Sequence, residues 1–311
     1  MQQFTMKNLY LLVLLALTTL AGCGGSPDEG QPQGEDTTKT EGTQQEQQTE
    51  PVEKLGDQVI SEIIKSIPNP LEVAFLIKEI GTDYQREDLN DPKAVDNYTT
   101  NYKKALNLGI YSTDLGYANI YGVNQDALNY LNSVKKLADG LSIGQFFDYN
   151  TIKRLTSNNE NLDSLLQLTT SNFEKINFHL SKQRRDYLSI LILTGGWLEA
   201  TYITSLVYQD SGNAKLKEKI GEQKIVLERI LLVLDVYQNK PNFNGLITDL
   251  KELQSVYDRV EIEEQQGKPV MKVVDDEIVI QSNRKTFVKA SDEDISQIMN
   301  LIRSIRNKIV K

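Results

Sequence analysis

Cysteine and histidine are nearly missing from these 311 residues, with one of each. The lone Cys23 excludes an intramolecular disulfide, so the fold must be held by its core. The lone His179 excludes a two-histidine zinc site and leaves any Ser-His pairing dependent on that one ring. Set between Phe178 and Leu180 near a helix end, it reads as a structural or exposed residue. Positive charge is also short: 34 Lys and Arg stand against 43 Asp and Glu, a net charge of −9. Such a surface repels phosphate backbones, which argues against a nucleic-acid partner. No Gly-rich phosphate loop follows a strand, and no calcium loop of alternating Asp and Asn occurs. Asp275-Asp276-Glu277 reads as a solvated turn, so neither a metal nor a cofactor is expected.

What is present begins at the N-terminus. Lys7 precedes the apolar run Leu9 to Leu20, and Leu20-Ala21-Gly22-Cys23 closes it. About 20 apolar residues are needed to span a bilayer, so this shorter run reads as a signal peptide over residues 1–22. The closing tetrapeptide resembles the lipobox of bacterial lipoproteins. That resemblance implies cleavage after Gly22, acylation of Cys23 and a membrane partner held through the lipid. Residues 23–54 form an acidic tract rich in Gln, Thr, Glu and Gly, which cannot bury enough apolar surface to offset its entropy and is expected to be a disordered tether. A flexible coil of that length spans on the order of 30 Å. Gly24 follows the cysteine in place of the Asp that marks inner-membrane retention in enteric bacteria, and Asp28-Glu29 resembles an export cue of Bacteroidota lipoproteins. Both features favour the outer membrane, with the periplasmic or surface side left open.

Residues 55–311 carry a helical period throughout, and the expectation is a mostly α single domain of about eight to ten helices in hairpin packing. Asn69-Pro70 with Glu72 starts a helix that stops at Gly81. Asp91-Pro92 repeats the start signal for a helix expected to end at Gly109, because glycine accepts the left-handed C-cap conformation. Asn124 opens another helix ahead of Gly140. Apolar stripes from Leu162 to Leu180, Leu216 to Leu234 and Phe243 to Tyr257 predict three more. Ser291 and Asp294 make a capping box for a last helix striped by Ile295, Ile298, Ile302, Ile305 and Ile309. Arg303, Arg306 and Lys308 near its end complement the helix dipole. Between about 260 and 290 the period changes to two, with Val270, Lys272, Val274, Ile278 and Ile280 and turn signals at Gly267-Lys268-Pro269 and Asp275-Asp276, which predicts a two- or three-stranded antiparallel appendage.

One helix, Arg185 to Gln209, is apolar on nearly every side and must be central or membrane-spanning; Glu199 and Gly195-Gly196 favour the central position. Two mid-helix glycines predict a close crossing by another helix. Glu199, beside Trp197, would be a buried acid in need of a partner or a proton, and with no cation assigned the proton is expected. Lys104 to Tyr117, together with Thr194-Gly195-Gly196-Trp197-Leu198-Glu199, resembles a group of helical lipoproteins of Bacteroidota. That likeness implies helix and compartment and no catalytic residues.

Tyr98, Tyr102, Tyr111, Tyr117 and Tyr121 offer flat apolar faces with polar tips, the usual lining of sugar or peptide sites, or else they sit at the edge of the core. The functional expectation is a lipid-anchored, non-catalytic binding or scaffolding module for a peptide, glycan or protein partner. A carboxylate-dependent envelope hydrolase is the alternative, since paired acids need no local motif.

Overall fold

The structure, a computed structural model, describes residues 57–147, 162–266, 270–274, 277–281 and 284–311. Residues 1–22, Cys23, the tether to residue 54, and the turns at 267–269 and 275–276 lie outside the described residues. Every described residue belongs to one unit, Val52–Lys311.

Nine α-helices are described: α1 (Asp57–Lys65), α2 (Leu71–Ile80), α3 (Asn101–Ile120), α4 (Asn124–Gly140), α5 (Leu162–Lys182), α6 (Tyr187–Ser211), α7 (Ala214–Val236), α8 (Phe243–Tyr257) and α9 (Asp292–Val310). The fold is therefore mostly α with a small antiparallel β appendage. The start and stop signals act through identifiable bonds. The N-cap hydroxyl of Ser291 accepts the Asp294 N–H at 3.0 Å, and Asn213 Oδ1 accepts that of Lys215 at 2.9 Å. Gly81 ends α2 at φ 84°, a left-handed conformation that costs glycine little.

The helix expected between Asp91-Pro92 and Gly109 is placed differently. Asp91 does cap a start, but only of the 3-10 turn Pro92–Asn97. The α-helix begins at Asn101, with the Thr100 hydroxyl accepting the Lys103 N–H, and runs through Gly109 to Ile120. Gly109 is a contact point rather than a stop. A Cβ there would overlap the Ile192 carbonyl of α6, and a Cβ on Gly195 would overlap the Leu106 carbonyl of α3. The two backbones thus cross with no room for a side chain at either position. Thr113 of α3 ties the crossing, within 3.2 Å of the Gly109 and Gly196 carbonyls.

This pairing makes α6 the centre of the fold. Its composition and length would allow it to cross a bilayer, yet 89% of its most apolar window is buried inside the protein. Beside the α3–α6 pair lie α2, α4 and α9, while α7 and α8 extend the helical layer from α6. The appendage has four strands in two antiparallel pairs rather than two or three strands. β1 (Glu261–Gln266) pairs with β4 (Arg284–Lys289), setting Ile262 opposite Val288, and β2 (Val270–Val274) pairs with β3 (Glu277–Gln281). It docks where Val288 packs on Gly221 of α7, a spot that admits no Cβ.

Candidate functional site

Two interior places collect the residues that could carry chemistry or binding. The first is a polar knot at the end of α9. Ile302, Ile305, Arg306 and Ile309 share one face of α9, so the same stripe that buries the isoleucines carries Arg306 inward. Its guanidinium grips Glu199 of α6 at both ends, Nε to Oε2 at 2.9 Å and Nη2 to Oε1 at 2.8 Å. Glu199 is 0% exposed and Arg306 7%. The guanidinium also lies 4.6 Å from the centre of the Tyr202 ring.

The third member is Asp114 of α3, likewise 0% exposed. Burial raises its carboxyl well above the ordinary value, and repulsion from Glu199 raises it further, with Arg306 opposing. Its Oδ2 accepts the Asn90 N–H at 3.3 Å, whereas Oδ1 finds no donor, as expected of an oxygen that carries the proton itself. The nearby Glu199 carboxylate and burial together favour a proton on Asp114. The triad then holds one cation, one anion and one neutral acid, so no net charge is buried.

Around it the hydrogen bonds close on the end of α9. Tyr98 donates to the Val310 carbonyl at 3.1 Å and Asn107 to the Ile309 carbonyl at 3.2 Å, satisfying carbonyls that a helix end leaves open. Asn90 donates through Nδ2 to the Tyr98 hydroxyl at 3.1 Å.

The sequence expectation for Glu199 is thereby corrected. The cation exists, 107 residues away in the chain, and the acid that burial pushes toward its neutral form is Asp114. Sequence reading missed Arg306 and Asp114, although a single Arg inside an isoleucine stripe is a visible signal of a buried pair. Trp197, two residues before Glu199, is buried and donates to Gln223 Oε1 at 3.0 Å.

Three of the five tyrosines expected at a ligand surface, Tyr98, Tyr111 and Tyr117, are buried in the core. Burial raises the pKa of each, and Tyr111 donates to the Asp91 carbonyl at 2.7 Å. Tyr121, half-buried, bonds the Thr82 carbonyl at 3.0 Å. Tyr102, also half-buried, meets Phe243 edge-on at 5.7 Å, and its phenol is pushed up to about 12 by burial and by Asp249. The five do not converge on one groove. His179 lies apart from both acids, near Gln183 at 3.0 Å and edge-on to Phe146.

The second place is a cavity of about 560 Å³ between helices α1 to α6. Leu108 and Leu115 of α3, Leu165, Phe173 and Ile176 of α5, and Ile192 and Leu193 of α6 line it, with Leu71 beneath. Leu128 of α4 stands exposed at its edge. Gly109, Gly116 and Gly196 also line it. The size falls in the usual range of small-molecule sites, ~300–1,000 Å³. A different hollow of about 820 Å³ opens between α7 and β1–β4. Its cations are already engaged, Lys217 with Asp292 at 2.6 Å and Arg259 with Asp294 at 2.6 Å. Among the described residues no three of His, Cys, Asp and Glu gather where a metal could sit.

No family model, curated protein or solved structure matches this chain.

Proposed function

We propose that the chain is an exported, lipid-tethered binding protein of a bacterial cell envelope, related to the helical lipoproteins of Bacteroidota, and that it takes an apolar small molecule into the cavity between α2 and α6. The observation that carries the binding half is the cavity itself: an apolar space of about 560 Å³, lined by residues of six helices, that the side chains of the described residues leave unfilled. Protein interiors pack nearly without voids, and a dry apolar space of this size is suited to an apolar guest. The lipobox resemblance of Leu20 to Cys23 and the acidic tract behind it support the anchor and an outer-membrane position.

A hydrolase needs its acids where a substrate can reach them. The close carboxyl pair in this fold, Asp114 and Glu199, is sealed in the core with Arg306, which favours the binder. An apolar guest also replaces the peptide or glycan suggested by the tyrosines, since the tyrosines do not line this space.

A titration with N-phenyl-1-naphthylamine, an uncharged dye that brightens in apolar surroundings, tests the reading. Saturable enhancement is expected with the soluble domain and loss of it with Ser112→Trp, which places an indole in the cavity. A wild type that fails to brighten the dye removes the binding reading. The anchor is checked by metabolic labelling with a fatty-acid analogue, where Cys23→Ala should lose the label.

A further inference from the structure

The apolar cavity is lined by a carboxamide that has no partner among the described residues. Asn177 of α5 is 8% exposed and lines the cavity, and among the described residues its side-chain amide has no hydrogen-bond partner. The other polar groups on the same face of α5 are occupied. The Thr169 hydroxyl bonds the Leu165 carbonyl at 2.9 Å and takes the Asn69 amide at 2.6 Å, and Asn172 donates to the Phe146 carbonyl at 3.1 Å. A carboxamide offers both donors and acceptors, and leaving them unpaired in an apolar surrounding is unfavourable until a partner arrives.

The charges at the site point to the chemistry of that partner. Lys65 and Glu174 are its charged lining residues, of opposite sign. Both are exposed, and Lys65 lies 3.5 Å from Glu62. An ionised group brought in to Asn177 would lose its water and meet a lining with no net countercharge.

We infer that the occupant is an amphiphile whose apolar body fills the space between α3, α4 and α5 and whose uncharged ester, amide or hydroxyl head is held by the Asn177 amide. This deepens the reading of the cavity as a binding site and rests on it. Such a site distinguishes ligands asymmetrically: a molecule without the hydrogen-bonding group leaves the amide unpaired, whereas a charged one must be stripped of water.

Competition against bound N-phenyl-1-naphthylamine tests this, with monoolein and oleate as competitors, each kept below the concentration at which it aggregates. Monoolein should displace the dye from the wild type at roughly tenfold lower concentration than oleate does, and Asn177→Leu should weaken monoolein by a similar factor while the dye still binds. The wild-type comparison stands even if the variant does not fold. Dye bound but displaced equally well by oleate, or monoolein unaffected by Asn177→Leu, overturns the head-group assignment and leaves the cavity reading intact. Dye not bound at all overturns both.

Discussion

Helix α3 turns Asn107 and Asp114, seven residues apart on one side, to the polar knot, and Leu108, Ser112 and Leu115, on another side, to the cavity. In the knot Arg306 forks Glu199, and burial favours the neutral form of Asp114. In the cavity the surroundings are mostly apolar and the Asn177 amide has no partner among the described residues. The knot therefore has the character of structure, its ion pair closed from within, and the cavity has that of a site, an apolar space whose lining amide has no partner among the described residues. Burial alone does not separate the two; the state of the polar groups does.

The largest effect should come from breaking the knot. Arg306→Met leaves Glu199 as an unpaired buried anion and should cost about 3–5 kcal/mol in urea unfolding. Glu199→Gln should also destabilise, opposite to what an acid buried without a cation would show. If Arg306→Met melts like the wild type, the knot does not bear on stability and the contrast with the cavity collapses.

Next comes the wall between the regions. Gly195→Ala presses a methyl group into the Leu106 carbonyl and should lose roughly 1–3 kcal/mol despite alanine's better helix propensity. At Gly196 the nearest atom to an added Cβ, Thr113 Oγ1, is 3.3 Å away, so alanine there should be much milder. Thermal melts of the two variants side by side measure how close the crossing is.

Asp114→Asn gives a pH-dependent effect. The folded pKa of Asp114 lies above its ordinary value of 3.8, so its contribution is fully present below that value and is lost as pH rises through the folded pKa, by up to ~1.4 kcal/mol per pH unit. Asparagine supplies a permanent donor in place of the proton. Relative to the wild type, the variant should gain stability steadily as the pH of the urea series rises above 4; parallel curves would mean that the proton is not on Asp114.

The smallest effect is expected in the cavity. Without ligand, Asn177→Leu should be neutral or stabilising by up to ~1 kcal/mol, because it removes an unpaired amide from an apolar wall. A clear loss in calorimetry would show that Asn177 has a structural partner and belongs with the knot.

These contrasts also mark what the chain makes legible. Caps and stripes are local, so Ser291, Asn124 and Gly81 announce their helices, and the all-round apolarity of α6 announces its central place. The glycines of α6 signal a close crossing in the same way. Gly109 was misleading because a glycine that ends a helix and one that admits another helix look alike in sequence. Arg306 was read as a dipole cation because periodicity tells which face of α9 is inward but not what stands opposite. The cavity is a lack of atoms between helices that are each individually ordinary, and no residue pattern records it.

The knot joins residues that lie far apart in the chain: Asn107 to Ile309 across 202 positions and Tyr98 to Val310 across 212. Contacts of such separation form slowly, whereas α3 and α6 can cross before α9 arrives. In the unfolded chain the Asp114 carboxyl titrates at its ordinary value. In the folded protein Arg306 pairs with Glu199 while burial favours the protonated form of Asp114. Folding is therefore linked to proton binding, and at pH values above the ordinary carboxylate range and below the raised one the folded chain should hold more protons than the unfolded one, which potentiometric titration across the unfolding transition would measure.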